Sequence, residues 1–180
     1  SNSSNLPIIV YNISQANLMD LDTLKKLASI KNIKGVKYTA PTHFNFSKIK
    51  KEISNDFKIY SGMDEMALSG IISGADGMIG SFYNLMPEMF VNLFTQLQKG
   101  DINEAKKTQE KINIIIVYAL EKSGYPFIKM GMNWLGIDSG YVRRPFVSIT
   151  DTDIENEIKK DLKILSKEND LSGIKFLEGL

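Results

Sequence analysis

Lys37, in the stretch IKGVKYTAPTHF at residues 33–44, follows a short run of β-forming residues and precedes Thr39, Ala40 and Pro41. An ammonium is costly to bury unpaired and its stem usually lies along a surface, so a lysine at the end of an apolar strand needs a reason. One reason is covalent chemistry. A low-dielectric wall favours a neutral amine, a neutral amine attacks a ketone, and the resulting imine takes up the electrons released when a neighbouring carbon–carbon bond breaks. Such a reaction also needs a group that moves protons. Tyr11, near the end of the run PIIVYNI at 7–13, is the best-placed candidate. Taken alone, Lys37 reads as a surface lysine at a strand end, and Tyr11 as a core tyrosine with its hydroxyl satisfied.

Four apolar runs of strand length must position these groups: PIIVYNI (7–13), IKGVKYT (33–39), FKIYSGM (57–63) and GADGMIGS (74–81). Segments with helical spacing lie between them. Leu21, Leu24, Leu27 and Ala28 form one stripe, Phe46, Ile49 and Ile53 a second, and Met66, Leu68, Ile71 and Ile72 a third. The repeat of strand, loop and helix predicts parallel βα units with both sheet faces covered. Beyond residue 81 the pattern is helical. Pro87 suits the first turn of a helix over 87–99, Gly100 ends it, and Asp101 caps a helix running to about 123. A further helix is predicted over 126–135. Thr152 and Glu155 have the spacing of a capping box, opening a last helix with Ile154, Ile158, Leu162 and Leu165 toward the core.

The pattern predicts an α/β fold, the C-terminal half of a TIM (β/α)8 barrel with four βα repeats, followed by a helical C-terminal subdomain. Residues 1–6 are expected to be a disordered start, a tag remnant or an exposed loop, 7–100 the half-barrel with the reactive lysine, and 101–180 the helical subdomain. Active sites of such barrels are built from loops at the strand C-termini. The loops here carry Tyr11, Lys37, Thr39, Gly62, Asp64, Glu65 and Ser81.

Composition narrows the function classes. The net charge is +1 over 180 residues, with lysines interleaved among acids as in KIKKEISNDFK, which reads as solvated surface and argues against nucleic acid. The absence of cysteine excludes disulfides, thiolate catalysis and cysteine-ligated metals, and fits a cytoplasmic location. The longest apolar run, INIIIVYAL at 112–120, is far shorter than the ~20 residues that span a bilayer. His43 is the only histidine and has no second ligand at metal spacing, so a loop or surface role is expected and no metal site is predicted. The glycines of GADGMIGS resemble a phosphate-cradling turn but are equally explained by a tight strand entry. Met86, Met89, Met130 and Met132 read as core filler, and Arg143 and Arg144 as a solvated loop.

In order, VYN, GVKYT, YSGMDEM, SGADGMIGSFYN and GIDSGYVRRPF, from about residue 7 to about 146, resemble the N-acetylneuraminate lyases within the dihydrodipicolinate synthase group of pyruvate-dependent class I aldolases. By that resemblance Lys37 matches the lysine that captures pyruvate as an imine, and Tyr11 the tyrosine that shuttles protons during aldol cleavage. Thr39 and Ser81 match substrate-contacting positions, and Gly62 a residue whose backbone approaches the substrate. Asp64 and Glu65 match carboxylates that bind hydroxyls of the sugar chain, which suits strong acceptors. Tyr38-Thr39 and Asp64-Glu65 favour the sialic acid branch over the synthase that feeds lysine biosynthesis. The competing assignment is that Asp64 and Glu65 cap the helix that follows them.

The implied substrates are sialic acid and pyruvate, with no cofactor beyond the covalent imine on Lys37, and no nucleic acid or membrane partner. The resemblance also implies departures. Only the last four barrel strands are matched, the hydroxyl-rich motif that holds the pyruvate carboxylate in family members has no counterpart, and Ser14 stands where the family commonly has proline. A half-barrel exposes sheet edges and an apolar inner face, so homo-oligomerisation or pairing through open edges is expected. The function that follows is sialic acid cleavage to N-acetylmannosamine and pyruvate. The alternatives are a non-catalytic assembly module, or a pyruvate aldolase acting on another sugar acid.

Overall fold

A computed structural model describes residues 5–180; residues 1–4 of the expected loose start lie outside the described residues, and Asn5 and Leu6 are exposed. The chain forms two compact units, Ser1–Gly80 and Ser81–Leu180.

The first unit is built on four parallel strands in the order β1 (Ile8–Ile13), β2 (Ile33–Thr39), β3 (Lys58–Ser61) and β4 (Gly77–Met78). Helices α1 (Leu21–Ala28), α2 (Asn45–Glu52) and α3 (Ala67–Ile72) connect them. Period-two alternation sorts the side chains. Val36, Tyr38 and Ile59 point to the helical layer and are buried with Leu24, Phe46 and Ile49 in one core cluster. Lys37 and Thr39 alternate with them and therefore occupy the opposite face of β2. Asp20 caps α1, its Oδ1 accepting from Thr23 N at 2.7 Å. β4 is only two residues long, much shorter than the run at 74–81, and Gly77 lies against the ring of its neighbour Tyr60. In α3 the buried residues are Ala67 and Gly70, whereas Ile72 is 61% exposed, so the predicted stripe is rotated: the helix packs by its small residues.

The second unit contains α4 (Pro87–Gln98), α5 (Ile102–Lys122), α6 (Tyr125–Trp134), α7 (Thr152–Glu168) and α8 (Lys175–Glu178). Pro87 sits in the first turn of α4, where a missing N–H costs nothing, and Gly100 adopts positive φ beyond its end. Ile112, Ile115, Ile116 and Ala119 give α5 its buried face, while Val117 and Leu120 of the same apolar run are exposed. Phe127, Trp134 and Phe176 form an aromatic cluster with ring centroids 6.2–6.3 Å apart. The start of α7 differs from the expected capping box. Asp151 is the cap, its Oδ1 accepting from Asp153 N at 2.8 Å, and Thr152 is already helical. Ile158 and Leu162 are buried, but Ile154 is 48% exposed, and in the same first turn it is Glu155 that makes the contact, accepting from Trp134 Nε1 at 2.8 Å.

Candidate active site

Parallel register brings Tyr11 of β1 beside Lys37 of β2, and Lys37 beside Tyr60 of β3. The Lys37 Nζ stands 4.4 Å from the centroid of the Tyr11 ring, a cation–π contact that holds the amine at the strand end. Tyr11 is 52% exposed, so the phenol borders open space and is not a core residue. Its neighbour Asn12 faces the other way and is buried. Asn12 Oδ1 accepts from Met19 N at 2.8 Å and its Nδ2 donates to Met19 O at 3.4 Å, closing the loop that follows Tyr11.

Gly62 follows β3, its N–H donating to Tyr38 O at 2.9 Å. A Cβ at this position would lie 1.9 Å from Thr39 Oγ1 and 3.0 Å from Lys37 Cε, so the bare backbone makes room for both side chains. The Thr39 hydroxyl is buried and has no hydrogen-bond partner among the described residues. Lys37, Tyr11, Thr39 and Gly62 are thus brought together.

Asp64 and Glu65 occupy a 3-10 turn, Asp64–Met66, that leads into α3. Asp64 is 5% exposed, and its carboxylate presses on Gly80, where a Cβ would fall 1.5 Å from Oδ1. Neither Met63 nor Met66, the residues at the N-cap positions of the turn and of α3, provides a side-chain cap bond. Glu65 is half-buried, and its charge acts on His43. The imidazole, 3% exposed, lies in the β2–α2 loop and not on the surface, and its Nδ1 is 2.9 Å from Ser69 Oγ of α3. Burial pushes His43 below the ordinary imidazole range, with Glu65 offsetting part of the effect. Ser81 opens the second unit, where its carbonyl accepts from Asn84 N at 3.2 Å. Asn12, Gly80 and His43 were not singled out as site residues by sequence reasoning. The only trace of Gly80 was its place in the glycine-rich run.

Among the described residues no group of three or more His, Cys, Asp or Glu side chains forms a metal cluster, and no helix is long and apolar enough to cross a membrane. Four parallel strands joined by three helices, with Tyr11, Lys37, Thr39 and Gly62 gathered at the strand C-termini, define a partial TIM barrel. The chain belongs to the dihydrodipicolinate synthetase family, whose model matches residues 2–165. It is 35% identical over 152 residues to the N-acetylneuraminate lyase of Rhizobium meliloti, covering 84% of this chain and 50% of the relative. It is also 35% identical over 166 residues to the 4-hydroxy-tetrahydrodipicolinate synthase of Ligilactobacillus salivarius, covering 89% and 56%. Among solved structures, CdNal from Clostridium difficile in complex with mannosamine superposes with a TM-score of 0.80 at 30% identity, over 88% of this chain and 55% of that one. The N-acetylneuraminate lyase from Fusobacterium nucleatum complexed with pyruvate gives 0.75 at 32% identity, over 86% and 54%. The chain therefore spans about half the length of the relatives it matches.

Proposed function

We propose that this chain carries the lysine-bearing half of an N-acetylneuraminate lyase site, acting in sialic acid catabolism in the cytoplasm. The observation that supports this reading is the convergence, at Gly62, of the Lys37 stem with the unpartnered Thr39 hydroxyl, beside the Tyr11 ring that faces the lysine amine. A buried hydroxyl without a partner costs stability, and a ligand oxygen would satisfy it. In the proposed reaction the Lys37 amine adds to the ketone of the sugar acid and expels water, giving a protonated imine. Tyr11 takes the proton from the substrate hydroxyl next to the bond that breaks. The bonding electrons move to the imine nitrogen, N-acetylmannosamine leaves as the aldehyde, and the remaining enamine is protonated and hydrolysed to pyruvate, freeing the amine. Asp64 and Glu65 accept hydrogen bonds from hydroxyls of the sugar chain, and by the family resemblance Ser81 is a further substrate-contacting residue. On this reading residues 7–100 carry the reacting lysine and 101–180 the helical tail, no cofactor takes part, and the open edges of β1 and β4 pair with a second copy or a complementary barrel half.

A second reading, a pyruvate-condensing synthase, is favoured by the equal identity to the Ligilactobacillus salivarius relative. The deciding experiment incubates the chain with pyruvate, reduces with borohydride and maps adducts by peptide mass spectrometry. An adduct confined to Lys37 supports imine chemistry in this chain. No adduct, with a complete relative labelled in parallel, leaves the lyase reading with the complete barrel and makes this chain inactive by itself. In an assembly that completes the barrel, cleavage of sialic acid compared with that of a keto-deoxy sugar acid separates the lyase from an aldolase for another substrate, and pyruvate condensation without cleavage of either favours the synthase.

A further inference from the structure

His43 sits where two elements of the site meet. It belongs to the loop after β2, the strand of Lys37 and Thr39, and bonds through Nδ1 to Ser69, which follows Glu65 by one helical turn. The ring stacks at a tilt on Phe46 of α2, with centroids 4.9 Å apart. On its other side is the bare backbone of α3: a Cβ at Gly70 would lie 2.5 Å from Ser61 Oγ and 3.7 Å from His43 Cε1, so α3 approaches both only because residue 70 has no side chain. Two polar atoms in this space, His43 Nε2 and Ser61 Oγ, are buried without a hydrogen-bond partner. Phe46, Ser61, Ser69 and Gly70 leave the imidazole in an enclosed pocket that accepts a neutral ring.

We propose that His43 is a positioning residue for the acidic rim: as a neutral ring it ties α3 to the β2–α2 loop through Ser69, and so fixes Asp64 and Glu65 relative to Lys37. The inference rests on the reading of those carboxylates as sugar-hydroxyl acceptors. Its physical basis is the pocket. Protonation would add a second N–H and a charge where Ser61 Oγ is the one other unpartnered group named, and buried charge is costly unless paired. The charged group acting on the ring is Glu65. Asp64 is pressed on Gly80, α3 carries no ionisable residue, Lys50 of α2 is engaged with Asp76, and Glu52 of α2 with Lys25; Lys48 and Lys51 of α2 are exposed. A protonated His43 therefore draws the Glu65 carboxylate toward itself and off the rim.

Because His43 is the only histidine, its ring resonances report the site without ambiguity. In the full chain, NMR titration is expected to show the His43 ring and the backbone amides of Asp64 and Glu65 moving with one midpoint, below 6.5, the ordinary imidazole value. Glu65→Gln is expected to move that midpoint further down. Ser69→Ala is expected to uncouple the amides from the ring and to weaken binding of N-acetylmannosamine to the pyruvate-trapped chain about five-fold, the effect of one lost hydrogen bond, while the rate of pyruvate trapping at Lys37 stays unchanged. Amides of Asp64 and Glu65 that ignore the ring titration, or a Ser69→Ala chain that keeps both coupling and affinity, would overturn the inference. If the wild-type chain neither traps pyruvate nor binds the sugar while the amides still follow the ring, the lyase reading fails and the positioning role stands. If Ser69→Ala does not fold, the Glu65→Gln titration decides: an unmoved midpoint overturns the inference.

Discussion

Gly62 and Thr39 are so close that a Cβ on residue 62 would fall 1.9 Å from the threonine hydroxyl, and the same point is 3.0 Å from Lys37 Cε. Gly62→Ala must therefore push Thr39, Lys37 or both off their places. We expect the borohydride-trapped pyruvate adduct on Lys37 to fall at least tenfold, with stability reduced by about 1–3 kcal/mol, the usual cost of forcing an added methyl into a packed site. Adduct mapping and thermal melts check this. A Gly62→Ala chain that traps pyruvate at the normal rate would show that the lysine stem and the threonine can shift without loss of the reactive geometry.

In the proposed reaction the Tyr11 ring and hydroxyl have separate roles. The ring faces the Lys37 amine at 4.4 Å, whereas the hydroxyl belongs to the proposed proton transfer. Tyr11→Phe keeps the ring. In an assembly that completes the barrel, it is expected to lower aldol cleavage about 10²–10⁴-fold, the range for loss of a general acid–base group, and to lower pyruvate trapping far less. Equal losses in both assays would place Tyr11 in imine formation and not in the cleavage step.

How much of this is legible in the residues alone follows from the range of the contacts involved. That Tyr11 and Lys37 lie side by side was legible because each stands near the end of an apolar run, and parallel runs of similar length bring their ends into register. The first three strands could be found for the same reason. β4 has two residues, in register as Tyr60–Gly77 and Ser61–Met78, with flanking backbone bonds from Asp76 N to Ile59 O and Ile79 N to Ser61 O, a limit no propensity records. The burial of His43 rests on Ser69, 26 residues away, and on the missing side chain of Gly70, so a lone histidine in a polar loop gave no warning. Ile154 has the right periodicity for a core residue, yet it is 48% exposed, because the first turn is held through the polar Glu155–Trp134 bond and not through its apolar side chain. The capping box failed by one residue because Asp151, a stronger N-cap than Thr152, stands just before it.

Asp76 anchors the N-terminal end of β4 to β3. Its Oδ2 accepts from Lys50 Nζ at 2.5 Å and from Ile59 N at 2.8 Å, and its own N–H donates to Ile59 O at 2.8 Å. Burial raises the carboxyl, but the hydrogen bonds from Lys50 and Ile59, with the lysine charges, outweigh it and leave Asp76 below its ordinary 3.8. A carboxylate depressed in the folded chain stabilises at pH values above the unfolded value, and that stability is lost as pH falls through the folded one. Asp76→Asn is expected to cost about 1–3 kcal/mol at neutral pH, since it leaves the Lys50 ammonium without its anion, and to flatten the acid limb of the stability curve below 3.8. Urea melts from neutral pH down through the acid limb check both parts.

Tyr118 of α5 donates to Asp161 Oδ2 of α7 at 2.9 Å, tying together the two longest helices of the second unit. Burial, reinforced by this hydrogen bond and the carboxylate charge, raises the phenol well above its usual 10.0. The same bond, with help from Lys122, holds Asp161 below 3.8. The signs run in opposite directions. An acid whose folded value is raised contributes stability that is present below the unfolded value, here 10.0, and is lost as pH rises past it, whereas the depressed carboxylate loses its contribution in acid. Tyr118→Phe should cost about 0.5–1.5 kcal/mol at neutral pH, the net worth of a hydrogen bond. It should also remove part of the stability loss above pH 10.0. In the wild-type chain, tyrosinate absorbance should show one of the seven tyrosines ionising later than the rest until the fold is lost, and Asp161→Asn should bring that one back toward the others. If the alkaline slope is the same in wild type and Tyr118→Phe, the Tyr118–Asp161 bond does not persist in solution, and the polar links between α5 and α7 reduce to the ion pairs of Lys122 with Glu157 and Asp161.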